Sequence, residues 1–284
     1  MNDVPVLFSE AVCSSQFGLN PISECRQLSG LFGEVASDAF DNAAFHVVEL
    51  RNGQFGDLGY FSQFIQIDGA RLKFKKVTRK HHWYTGVFVA AESGEYSIDP
   101  AALEELSAAT KGKRVSLGLH TLNLSKELEK WIGSIQSCFG LKVAADLPRI
   151  PDSLIQKKTL TELNFGDGDN EISDEAASQV LQLLKQNQFI GATLSGFSVS
   201  NLSKLVAGWN ESANRSKMTR KDILCRQKCN QQTVHDLGFR KCTEEEKQFT
   251  CANAEEIFVK IEGNARVYYI LLASSSYQTL LVFA

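Results

Sequence analysis

The stretch LTELNFGDGDNEISDEAASQVLQLL (Leu160–Leu184) decides how this chain is read. Asp167, Asp169, Glu171, Asp174 and Glu175 crowd one loop, as cation-binding carboxylates would. A calcium loop of the EF-hand kind needs oxygen ligands at its first, third and fifth positions, Gly at the sixth and a bidentate Glu at the twelfth. Counted from Asp167, the sixth and twelfth positions are Ile172 and Ser178, and the element before the loop reads as a strand. A strand–turn–helix reading accounts for every residue instead. Gly166 and Gly168 turn the chain, Ser173 caps the helix, and Asp174 and Glu175 face its positive N-terminus. Ala177, Val180, Leu181 and Leu184 then form a buried stripe. The stretch reads as scaffold, with no metal expected in it.

The flanking sequence repeats the alternation. VSLGLHTLNL (115–124) reads as a strand and SKELEKWIGSIQSCF (125–139) as an amphipathic helix burying Leu128, Trp131, Ile132 and Ile135. LKVAADL (141–147) is a strand, and PDSLIQKK (151–158) a short helix or turn. FIGATLSG (189–196) and VSNLSKLVAGW (199–209) repeat the strand–helix pair. Strand and helix in alternation with short links predict a parallel sheet with right-handed crossovers. Upstream, the period is close to two from Phe45: FHVVEL, YFSQFIQI, ARLKFKKV and WYTGVFVAA read as strands. SIDPAALEEL opens a helix with Asp99 as its cap and Pro100 in its first turn. Downstream, residues 221–256 show no clean period. IFVKIEG and RVYYILLASSSYQTLLVFA are strands, and so apolar a terminal strand must be paired or covered. The expected fold class is α/β: a short helical unit over 1–44, then a strand–helix body over 45–284 with a largely parallel sheet.

Composition limits the function classes. The chain has 284 residues, 43% hydrophobic and 22% charged, with a net charge of −3, ordinary for a globular protein without a global pull toward nucleic acid or anionic membrane. The N-terminus has no basic segment or apolar core of a secretory signal. VYYILLA (267–273) falls far short of the ~20 apolar residues that span a bilayer. Seven Cys residues, an odd count, fit free thiols in a reducing compartment. An intracellular place, cytoplasm or nucleus, is expected, with no membrane partner.

Two clusters carry chemistry. Cys225, Cys229, Cys242 and Cys251, with His235 among them, read C-x3-C-x12-C-x8-C and offer a tetrahedral zinc four soft ligands. Strong zinc patterns have two tight knuckles, whereas this one has a loose pair and two single residues. If 222–229 is helical, Cys225 and Cys229 share a face, as a packing stripe would; buried free thiols are the expectation. RLKFKKVTRKHHWY (Arg71–Tyr84) is a basic patch that alternates Arg71, Lys73 and Lys75 with Leu72 and Phe74 through to His81 and His82. That pattern suits a nucleic-acid contact or a half-exposed strand guarded against edge pairing. These two clusters make the alternative reading, a zinc-stabilised or nucleic-acid-binding module. No nucleophile elbow, Walker loop, dinucleotide fingerprint or zincin motif is present, so neither an enzyme nor a cofactor is expected.

The N-terminal residues carry a resemblance. Val4-Pro5 begins a segment in which Phe8 and Val12 fall at helical spacing, and Leu28, Leu31, Phe32, Val35 and Ala36 stripe a second helix running to about Phe40. This plan resembles an F-box, with Phe32 near the usual tryptophan place. The opening MNDVPVLF (Met1–Phe8) and the overall organisation resemble a nematode-expanded set of F-box-like proteins. Leu160, Leu163, Phe165 and Asn170 with the helix after them resemble a leucine-rich repeat of the ribonuclease-inhibitor type, its loop longer than usual. The resemblance implies a protein–protein interaction scaffold. It implies a Skp-type adaptor of a cullin ubiquitin ligase as one partner, bound through Val4, Pro5, Phe8, Val12 and Leu31, and a substrate protein as the other.

Overall fold

A computed structural model of the protein describes residues 27, 30–68, 71–76, 81–90, 98–120, 124–144, 149–165, 171–211, 220–247, 251, 253–263, 265–273 and 278–284. Two compact units emerge: residues 1–88 with 95–116, and 89–94 with 117–284.

In the first unit, helix α1 (Leu31–Asn42) runs directly into β1 (Ala43–Arg51). Ala36 is buried, while Phe32 and Val35 are half-buried. Asn52 and Gly53 turn the chain with positive φ into β2 (Gln54–Asp68), which pairs antiparallel with β1 and with β3 (Arg71–Lys76). With β4 (His81–Ala90) the order is β4-β1-β2-β3. Helix α2 (Pro100–Thr110) lies against β1 and β2. Asp99 caps it as expected, its carboxylate accepting from the Ala101 amide at 2.9 Å, and Thr85 of β4 donates to the Ala109 carbonyl at 3.2 Å.

The second unit alternates strand and helix: β5 (Arg114–His120, starting in the first unit), α3 (Lys126–Ser134), β6 (Ser137–Val143), α4 (Asp152–Gln156), β7 (Glu162–Phe165) and α5 (Asp174–Leu184). It continues with β8 (Gly191–Leu194), α6 (Val199–Asn210), β9 (Lys221–Cys225), α7 (Gln231–Asp236), β10 (Arg240–Lys241), β11 (Ala254–Glu262), β12 (Ala265–Leu272) and β13 (Thr279–Phe283). Strands β6, β7, β8 and β9 are neighbours in chain order and parallel, as the alternation requires. Helices α3 to α6 pack each on the next, so they form one layer on one face. Antiparallel strands β13, β12, β11 and β10 extend the sheet beyond β9. The apolar terminal strand is paired on both sides, by β9 and β12.

Repetition shows in side chains more than in spacing. Ser125, Ser173 and Ser198 cap α3, α5 and α6, accepting from amides at 3.2, 3.0 and 3.1 Å. A buried amide in one helix also ties the residue just ahead of the preceding helix's cap. Gln179 of α5 accepts from the Ile150 amide at 2.7 Å and donates to its carbonyl at 2.9 Å. Asn201 of α6 donates to the Ile172 carbonyl at 3.3 Å. Both ties span 29 residues.

Two expectations need correction. The helix from Ser125 stops at Ser134, because Ile135 turns to extended backbone and its amide bonds only to Ile132; Cys138 and Phe139 belong to β6, although all four expected helix-face residues are buried. In α5 the buried stripe includes Leu183, with Leu181 half-buried against Gly208 of α6. Residues 221–225, where the sequence shows no clean period, form a strand whose alternate side chains Lys221, Ile223 and Cys225 enter the core between two paired neighbours.

Candidate functional site

The parallel strands alternate between two environments. Leu141, Val143, Leu163, Phe165, Ala192, Leu194, Ile223 and Cys225 are buried. That face is the helix side: Phe283, in register with Lys221, meets Trp209 of α6 edge-on with ring centroids 5.5 Å apart. On the opposite face, Lys142, Asn164, Thr193, Asp222 and Leu224 are half-buried and Glu162 is exposed. Register aligns Lys142, Asn164, Thr193 and Leu224 in one row, and Gly140, Glu162, Gly191 and Asp222 in the next. Neighbours in a row stand about 4.8 Å apart. Arg220 grips Asp222 with two bonds of 2.8 and 3.0 Å. Gly191 is needed for strand approach, since a Cβ there would meet the Asp222 carbonyl oxygen at 2.1 Å.

The rows continue into the antiparallel half and change character. Leu224 aligns with Leu280, Ile270 and Ile257, while Asp222 aligns with Val282, Tyr268 and Val259. Val259, Tyr268, Ile270 and Val282 are fully buried, with Cys242 and Cys251 packed against them. Among the described residues, one sheet face is thus mostly polar and half-buried across β6–β9, and apolar and buried across β13–β11.

The cysteines do not converge. Cys225 lies on the helix face with Thr279. Nearby, the Cys229 amide donates to the Tyr269 hydroxyl at 2.7 Å. Thr279 donates to the Gln227 carbonyl at 2.9 Å, so Tyr269 donates to Thr279, 3.2 Å away. Cys242 and Cys251 sit across the sheet, and His235 is engaged by the Phe239 carbonyl and the Phe258 ring. Among the described residues, no group of three or more His, Cys, Asp or Glu is placed to hold a metal. Burial pushes the Cys225 thiol up to about 12 and also raises Cys229 and Cys242.

Other sequence candidates are placed in part. Val4, Pro5, Phe8 and Val12 lie outside the described residues, and Leu31 opens α1. The backbone of Arg71–Lys76 is the strand β3 and that of His81–Ala90 is β4, as expected; the side chains of residues 71–84 lie outside the described set. Asp167 and Asp169 also lie outside it, while Ser173 caps α5 with Asp174 and Glu175 in its first turn. The open sheet face was missed at the sequence level. Its signal is the polar alternate in TELNF, GATLS and KDILC, each read there for its buried half or not read as a strand.

Compared with known protein families, curated proteins and solved structures, the chain matches none. No helix among the described residues is long and apolar enough to cross a membrane.

Proposed function

We propose that the protein is a protein–protein interaction scaffold that binds its partner on the open face of β6–β9. The observation that carries this reading is the row Lys142, Asn164, Thr193 and Leu224, half-buried on a face opposite the helix layer. Asn164 and Thr193 are short polar side chains side by side on adjacent parallel strands, with Lys142 beyond one and Leu224 beyond the other, and such pre-placed groups lower the entropic cost of binding. The N-terminal segment supports a finer reading, a substrate adaptor of a cullin ubiquitin ligase whose Skp-type partner takes Val4, Pro5, Phe8, Val12 and Leu31. The zinc alternative gains no support from thiols held on two faces of the sheet.

Affinity purification from the native cell tests both levels. Skp-type adaptor and cullin should co-purify with wild type, and a Phe8→Ala, Leu31→Ala pair should weaken adaptor binding about a thousandfold, each anchor contributing ~2 kcal/mol. Thr193→Arg should release the other partner and leave adaptor binding intact. Wild type that captures no adaptor defeats the ligase reading. Partner capture insensitive to Thr193→Arg defeats the assignment of the face.

A further inference from the structure

The strand order β4-β1-β2-β3 ends at β3, and among the described residues Arg71–Lys76 pairs with β2 alone. A strand with one neighbour leaves every second backbone N–H and C=O aimed away from the sheet, a template for another extended chain. The same six residues, RLKFKK, include four cations. The ladder on the inner side does little to balance them. Arg71 stands in register with Asp68, but Lys73 pairs with Gln66 and Lys76 with Phe61. Residues 61–68 of β2 contain no carboxylate besides Asp68.

These features select what can pair at the free edge. Residues directly opposite each other in a ladder share a sheet face, and like charges placed so are destabilising. A second copy of β3 laid antiparallel would set Arg71 against Lys75 and Lys73 against its own counterpart, so self-pairing is disfavoured. An acidic strand meets the reverse situation. Asp or Glu at alternate positions would stand opposite Arg71, Lys73 and Lys75, with apolar residues between them opposite Leu72 and Phe74. A nucleic-acid strand answers the cations alike but has no peptide N–H and C=O to continue the ladder. The edge position therefore favours a peptide.

We propose that β3 is a second recognition element, to which a segment of a partner protein alternating acidic and apolar residues adds as an extra strand. Backbone bonds hold the segment, and the alternation of charge selects it. The site lies in the first unit and uses no residue of the β6–β9 face, so it goes beyond the function proposed above. The basic residues that repel most strand edges admit this one.

Fluorescence anisotropy on the full chain tests this. The probe is a labelled, end-capped peptide alternating Glu with Val over about eight residues, enough to cover the strand. It should bind saturably, and about tenfold more tightly than the same peptide with Lys for Glu, since three opposite-charge pairs become like-charge ones. Two N-methylated versions, one blocked on each edge of the peptide, separate strand addition from attraction by charge alone. Only one peptide edge meets β3, so one version should lose about tenfold in affinity while the other binds as before. In a Lys73→Glu, Lys75→Glu chain the preference between Glu and Lys peptides should reverse.

Equal effects of the two methylations overturn the added strand. No preference for Glu over Lys overturns the acidic partner, and a wild-type chain that the Glu peptide does not saturate overturns both. A single-stranded oligonucleotide that displaces the Glu peptide and binds more tightly assigns β3 to nucleic acid instead. Each of these results leaves the outcome for Thr193→Arg standing, so the two recognition surfaces fail separately.

Discussion

The Lys221 ammonium, carried by a side chain buried in β9, donates to the Gln186 carbonyl just beyond α5 at 3.0 Å. It also donates to the carbonyls of Asn187, at 3.1 Å, and Phe189. A charge thus satisfies carbonyls beyond the C-terminal end of a helix, where the dipole favours cations. Lys157, just beyond α4, makes a similar connection at the end of α3, donating to the Gly133 carbonyl at 2.6 Å and to that of Ile135.

Lys221→Met should destabilise the second unit by about 2 kcal/mol, because several buried acceptors lose their donor. Urea unfolding measures this. Burial lowers the Lys221 pKa below the ordinary 10.5. The unfolded chain therefore holds that proton to higher pH, and this group's contribution to stability rises with pH between the folded value and 10.5. The methionine variant should lack that rise.

Two glycines should respond oppositely to alanine. Gly191→Ala forces a Cβ onto the Asp222 backbone and should cost about 1–3 kcal/mol as strain between β8 and β9. Gly133, inside α3, has room: a Cβ would first meet Ser153 at 4.0 Å. Gly133→Ala should raise stability by about 0.5–1 kcal/mol. Equal melting shifts for the two would contradict the placement of both strands and helix.

Leu163 lies at the centre of the parallel run, between Leu141 and Ala192, and is 2% exposed. Leu163→Asp should unfold the second unit, since an unpaired carboxylate there costs several kcal/mol. A variant that stays soluble with native circular dichroism would show that the strand is not where it stands here.

Burial pushes the thiols of Cys138 and Cys225 up to about 12, from an ordinary 9.0. Neither should react with iodoacetamide at about pH 8 in the folded protein, and both should react once it unfolds. Their protonated form is favoured in the fold, so the stability they contribute is complete below pH 9.0 and is lost as pH climbs toward 12. Peptide mapping after alkylation checks the first claim, and denaturation across that range the second.

Local chemistry made much of this fold legible. Asp99 and Ser173 cap where their residue type and the apolar pattern after them say they should, and Leu128, Trp131 and Ile132 of α3 are buried as periodicity implies, as is Ile135 just past it. What escaped has a non-local cause. Lys221, Ile223 and Cys225 alternate with Asp222 and Leu224, yet a strand of five residues gives too short a pattern to separate from its surroundings. Its identity is settled by β8 on one side and β13 on the other. The open face escaped for a related reason. Glu162 and Asn164 look like ordinary solvated residues until the register places Gly191 and Thr193 beside them.

The position of β13 between β9 and β12 sets an order of events. Each parallel strand reaches its neighbour across one short helix, whereas β9 must wait for a strand that follows α7, β10, β11 and β12. Closing that longer loop costs more entropy and proceeds more slowly. The β12–β13 hairpin can form by itself, but until it docks, Ile223 and Leu224 border a naked strand edge, open to any other chain in the same condition. Refolding is then a race between intramolecular docking, which ignores concentration, and intermolecular pairing, which grows with it. Dilution should decide the yield of native protein more than any gain in the depth of its final energy well.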